Sequence, residues 1–188
     1  MFRRRSFLKS SSLIAGGLIL PKLSFKSKKL NQKKLKIAVV GCGGRGTGAA
    51  VQALRADNNV ELVTLADAFK DRLETSLNAI KDEFEGEMEI NIKEKNKFVG
   101  FDAYKKAIDK SDVVILASPP GFRPAHFEYA INKNKHVFME KPVATDAHGV
   151  RQVLNSARKA KEKNLNVVVG LQRRYQKSYL SAKKQIDR

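Results

Sequence analysis

Cysteine occurs once in the 188 residues, as Cys42, so no disulfide forms within the chain and oxidative stapling plays no part in its stability. Acid is missing from residues 1–36, which hold eleven lysines and arginines. Long apolar runs are missing too. The stretch Leu13–Leu20 falls well short of the roughly 20 residues that span a bilayer as a helix. There is no basic stripe interleaved with aromatics, the pattern that stacks bases, so no nucleic acid partner is expected despite a formal charge of +18. Most of that charge is a basic leader, and the remainder of the chain carries only about +7. No internal repeat is present, and no metal is assigned.

What is present begins with an address. Residues 1–34 combine a charged start, a short apolar stretch and Pro21, the layout of a signal peptide running into a basic linker. Arg4-Arg5-Ser6-Phe7-Leu8-Lys9 resembles the twin-arginine export motif, which implies the twin-arginine export machinery as a partner and a periplasmic location. No clear A-x-A cleavage site follows, so an uncleaved membrane anchor and a basic amphipathic tail stay open.

From residue 35 onward, strand and helix signals alternate. Short apolar runs at 35–41, 59–67, 112–120, 135–142 and 165–172 read as buried strands. Helical periodicity covers 46–56, 68–84, 102–110, 124–134 and 145–164, while 85–101 reads as a loop with one short strand. Apolar strands joined by helical crossovers predict an α/β fold with a mainly parallel sheet covered on both faces. At 42% hydrophobic residues the chain has material for one domain with a core of its own.

The first strand runs into VVGCGGRGTG, residues 39–48. Gly41, Gly43 and Gly46 match G-x-G-x-x-G between a strand and a helix, the setting in which this motif has physical meaning. The first glycine permits the tight turn, the second lets a pyrophosphate approach the backbone, and the third lets helix and strand pack closely. Gly44 and Arg45 lie within the same loop, whose N–H groups open the helix toward the phosphates. Asp67 ends the second strand, 21 residues beyond Gly46, where a ribose-binding carboxylate belongs. A carboxylate there favours NAD over NADP, although Lys70 and Arg72 nearby keep NADP open. Together these features predict a doubly wound, Rossmann-type dinucleotide-binding domain over 35–175. Cys42 reads as a packing residue, not a nucleophile.

A second set of residues carries a family resemblance. Glu140-Lys141-Pro142 after the strand "KHVF", "ASPP" with His126 in the following helix, and "VGLQRRY" (169–175) together resemble the Gfo/Idh/MocA oxidoreductases, exported members in particular. The resemblance covers roughly residues 35–188. It implies that Lys141 reaches the reacting oxygen of a sugar or polyol beside the nicotinamide, where an ammonium stabilises negative charge and relays a proton. It implies that Glu140 lies at the nicotinamide ribose or orients the lysine. Ser118, Pro119 and Pro120 end a central strand, where Rossmann ligands bind. His126 faces the cofactor or is a satisfied core histidine; His136 and His148 read as structural. Arg173, Arg174 and Tyr175 are either substrate-binding residues or a basic strand end.

Family members continue into a sheet-rich domain that completes the substrate pocket. Residues 176–188 read as the start of a helix leading to it, so the 188-residue piece alone is expected to be inactive and homo-oligomerisation is expected only for a longer form. The leading activity is nicotinamide-dependent oxidation or reduction of a sugar or polyol. An NAD-dependent glycoside hydrolase working by oxidation and elimination, and a non-catalytic nucleotide-binding protein, remain as alternatives.

Overall fold

The structure is a computed structural model, and it describes residues 33–187. The export leader read from residues 1–34 lies, but for Lys33 and Lys34, outside the described residues. Among the described residues no helix is long and apolar enough to cross a membrane.

Six strands alternate with helices. They are β1 (Leu35–Val40), β2 (Val60–Asp67), β3 (Lys97–Val99), β4 (Val113–Leu116), β5 (His136–Met139) and β6 (Val167–Val169). The helices are α1 (Gly44–Ala56), α2 (Lys70–Glu83), α3 (Ala103–Asp109), α4 (Arg123–Asn132), α5 (Ala147–Glu162) and α6 (Lys177–Ile186). Every strand pair is parallel, in the order β3-β2-β1-β4-β5-β6. The order reverses between β1 and β4, and in doubly wound sheets a ligand crevice opens at that point, beyond the carboxyl ends of the strands.

The sheet has a core on each face. Ile37, Val39, Leu65 and Ile115 meet Leu54 of α1 and Leu73, Leu77 and Ile80 of α2 on one side. Ala38, Val40, Val114, Leu116, Val137 and Met139 meet Ile108, Phe127 and Ile131 on the other. Successive residues of β1 and β4 thus feed opposite cores, which is why these strands show no polar alternation in sequence. Burying each such Leu or Ile contributes about 1.5–3 kcal/mol.

Helix ends are set by local chemistry. Asp146 caps α5, its Oδ1 accepting from the Gly149 N–H at 2.7 Å. Asn134 and Asn164 follow α4 and α5 with φ of 57° and 55°. Behind them the Lys135 N–H donates to Ala130 at 3.0 Å and the Leu165 N–H to Ala160 at 2.9 Å, closing a Schellman motif on each helix. This is why α4 and α5 stop two residues short of the sequence expectation. The strands expected at 112–120 and 165–172 shorten to β4 and β6, because Ser118–Pro120 and Gly170–Arg174 turn away from the sheet to form loop and 3₁₀ structure.

Candidate functional site

The glycine loop is built by contact as well as by conformation. Gly41 has φ +95°, and a Cβ there would lie 2.4 Å from the Ser118 backbone nitrogen, so only glycine lets β1 turn this close to the end of β4. A Cβ on Gly46 would lie 1.9 Å from the Gly41 carbonyl oxygen, which makes Gly46 the point where α1 meets the loop. Around Gly43 a Cβ would meet nothing within 4 Å, so the space above it is open. Gly43 caps α1 without a side-chain hydrogen bond, and the first turn of α1 holds no acid. The N-terminus of this helix therefore keeps its N–H groups and partial positive charge for a ligand.

Asp67 closes this corner. Its Oδ2 accepts from the Cys42 N–H at 2.6 Å and its Oδ1 from the Phe69 N–H at 3.0 Å, leaving lone pairs on both oxygens. The carboxylate thus shapes the loop as well as facing the cleft. Cys42 is buried; desolvation first and the Asp67 charge second push its thiol up to about 12, so it stays protonated packing matter.

The opposite wall comes from β4 and α4. Ser118 Oγ and His126 Nδ1 share a 3.0 Å hydrogen bond, and the imidazole stacks on Tyr104 with ring centres 4.1 Å apart. Burial, then the nearby Arg123 charge, lower the His126 pKa to about 4, so the ring is neutral at pH 7. His126 lines the cleft and is at the same time a satisfied, buried histidine.

Beyond β5, Glu140 is buried in a slot. Its Oε1 accepts from Arg45 Nε at 2.7 Å, and on the other side Gly170 has no Cβ, which would sit 3.0 Å from the carboxylate. This ion pair joins the glycine loop to the end of β5. Lys141 follows, exposed, at the rim, and its peptide bond to Pro142 is cis.

These pieces enclose one cleft of about 630 Å³, within the usual range for small-molecule sites. Gly41, Gly43, Arg45, Asp67, Ser118, Pro119, Pro120, His126, Glu140 and Lys141 all line it, while Gly44 and Gly46 stand behind as the first turn of α1. Arg173, Arg174 and Tyr175 are not brought there. They are exposed, on the 3₁₀ turn Gln172–Arg174 and its cap, and the Arg173 guanidinium lies 5.3 Å from the Tyr179 ring centre. The sequence reading missed Phe69, Phe101, Phe122 and Arg123, which also line the cleft. Phe101 and Phe122 pack at 6.0 Å beside the Asp67 corner, exposed aromatics of the kind that stack on a planar ring. Arg123 had a signal: it shares the buried stripe of α4 with Phe127, Ala130 and Ile131, an unusual place for an arginine.

The open cradle at Gly43, the uncapped α1 N-terminus and the Asp67 carboxylate fit a dinucleotide: pyrophosphate at the first two, adenosine ribose at the third.

The oxidoreductase family model described as having an NAD-binding Rossmann fold matches residues 35–170. Inositol 2-dehydrogenase of Cereibacter sphaeroides is 28% identical over 152 residues, 81% of this chain and 41% of that protein. The crystal structure of scyllo-inositol dehydrogenase from Lactobacillus casei with bound NAD(H) and scyllo-inositol superposes with a TM-score of 0.62 at 25% identity, covering 82% of this chain and 41% of that one. The myo-inositol 2-dehydrogenase of Lactobacillus plantarum gives a TM-score of 0.62 at 28% identity, again over 82% and 41% of the two chains. This chain thus spans about two fifths of the length of the relatives it matches.

Proposed function

Because this chain belongs to the Gfo/Idh/MocA oxidoreductase family, in its NAD-binding Rossmann domain, we propose that the protein interconverts an alcohol and a ketone on a cyclic polyol or sugar, with NAD as hydride carrier. One observation carries the reading: Lys141 and the glycine loop open into the same cleft, linked by the Arg45–Glu140 pair. Bound NAD supplies the hydride acceptor. The protein does the rest. The α1 N-terminus would hold the pyrophosphate and Asp67 would take the ribose hydroxyls and disfavour a 2′-phosphate, with Phe69 and Phe101 offering aromatic faces in the same cleft. Glu140, fixed between Arg45 and Gly170, sets the rim from which Lys141 extends. The Lys141 amine takes the hydroxyl proton as the carbonyl forms and returns it in the reverse direction, its ammonium steadying negative charge on the oxygen. The relatives are named as inositol dehydrogenases, which favours a polyol ring and gives no support to the hydrolytic alternative.

The test is NAD-dependent oxidation of myo-inositol and related polyols by the protein purified at its full native length, since the 188 residues alone are expected to be inactive. Lys141→Ala is expected to lower kcat about a hundredfold with NAD affinity retained. An unchanged rate removes Lys141 from the mechanism.

We further propose that residues 1–34 direct twin-arginine export to the periplasm. The support is the Arg4-Arg5-Ser6-Phe7-Leu8-Lys9 sequence ahead of a short apolar stretch.

A further inference from the structure

Arg123 is only 2% exposed, yet among the described residues no carboxylate pairs with it directly. Its guanidinium donates from Nη1 to the Pro142 carbonyl and from Nη2 to the Ser118 carbonyl, while Nε has no partner among the described residues. Burial lowers its pKa and the Glu140 charge raises it, so the compensating charge is the carboxylate one residue before Lys141. The two acceptors belong to different strands. Ser118 follows β4, and Pro142 follows β5 and is joined directly to Lys141. A planar fork suits this task, since it reaches two carbonyls at once with little freedom left, and a lysine ammonium does not. Neighbouring contacts act in the same direction. His126, one turn further along α4, holds the Ser118 hydroxyl. Pro124 stands 3.1 Å from where a Gly149 Cβ would lie, and Ala144 stands 2.9 Å from it, so the start of α4 packs against the segment leading into α5. A buried cation is costly to hold, and here it secures two backbone loops at the rim of the cleft instead of a partner side chain.

We propose that Arg123 is a positioning residue that ties the carbonyl ends of β4 and β5 together and thereby fixes the backbone from which Lys141 reaches the substrate oxygen. The inference rests on the polyol oxidoreductase reading for its catalytic part, and on geometry alone for its structural part.

Arg123→Ala and Arg123→Lys, made in the full-length protein, are compared with their parent by amide exchange, NAD affinity and NAD-dependent oxidation of myo-inositol. Exchange over residues 139–146 is expected to rise about tenfold or more in both, because a charge-assisted bond has gone, while β1 and α2 keep their protection. The NAD dissociation constant should hold within about threefold, since the Arg123 hydrogen bonds go to Ser118 and Pro142 and not to the glycine loop or Asp67. Displacing Lys141 should lower kcat about a hundredfold in the alanine variant and about tenfold in the lysine variant, with KM little changed. Added guanidinium ion at low millimolar concentration should restore part of both protection and kcat to Arg123→Ala. Parental exchange over 139–146 overturns the proposal, as does parental kcat in a variant that binds NAD normally. A loss of protection spread evenly over the sheet also overturns it, by making Arg123 a general core residue. If Arg123→Ala does not fold, the lysine variant decides by the same readings. The exchange reading needs no turnover: a full-length parent that binds NAD and oxidises neither myo-inositol nor related polyols and sugars removes the polyol reading, while residues 139–146 still decide Arg123.

Discussion

His126 shows how one side chain can tie this site to acidity. Its ring is buried against Tyr104, bonded to Ser118 and close to the Arg123 charge, and its pKa falls from 6.5 to about 4. The folded pKa lies below the unfolded one, so as pH falls the unfolded chain takes up the proton first. Stability is therefore lost through the window from about 6.5 down to about 4, with the full penalty present below it. Between pH 7 and pH 5 this single group costs about 2 kcal/mol. His126→Asn, which keeps a polar atom toward Ser118 but does not titrate, is expected to remove that part of the acid sensitivity. Urea unfolding of both proteins at the two pH values measures it. Equal losses in parent and variant would show that the histidine is already protonated in the folded state or is not buried as described.

At the scale of elements, the β1–loop–α1 unit divides labour between its glycines. Gly46 sits where any Cβ meets the Gly41 carbonyl, whereas Gly43 faces open space. Gly46→Ala is accordingly expected to destabilise the fold by about 3 kcal/mol through overpacking. Gly43→Ala should leave apo stability within about 1 kcal/mol and weaken NAD binding tenfold or more, because the methyl occupies the phosphate approach. Thermal unfolding with and without NAD separates the two, and equal behaviour would contradict the division. The same unit was readable from sequence, because strand, glycine spacing and Asp67 each follow from one-dimensional pattern. So were five of the strands and the helices between them, since apolar runs and helical period mark them, whereas β3 was expected only as one short strand within the polar loop 85–101. The helix ends were not, because Asn134 and Asn164 act through a left-handed backbone that no periodicity marks. The place of Arg123 on the apolar stripe of α4 was a signal of burial, but not of what it binds. Its partners are backbone carbonyls of Ser118 and Pro142, brought together only when β4 and β5 pair, and a carbonyl leaves no trace in a sequence. Arg173, Arg174 and Tyr175 followed a resemblance, and the turn after β6 carries them away from the cleft lining.

At the scale of the whole molecule, charge and chemistry are segregated along the chain. The acid-free residues 1–36 precede a domain that holds all 19 acids against 26 bases and whose cleft is shaped for a dinucleotide. That separation suits an address read before a folded body, and the twin-arginine route carries proteins already folded, which allows NAD to be bound before transport. Replacing Arg4 and Arg5 together by lysine keeps the charge of the leader and removes the arginine pair on which the proposed export rests. The parent is expected in the cell-envelope fraction and the double variant in the cytoplasm, with equal NAD content per folded molecule, because the cleft residues begin only at Val40. Fractionation followed by cofactor release and assay measures both quantities. Export of the double variant at the parental level would assign the basic leader a different role, that of a cationic tail attracted to anionic surfaces, and that attraction would weaken with added salt as screening requires.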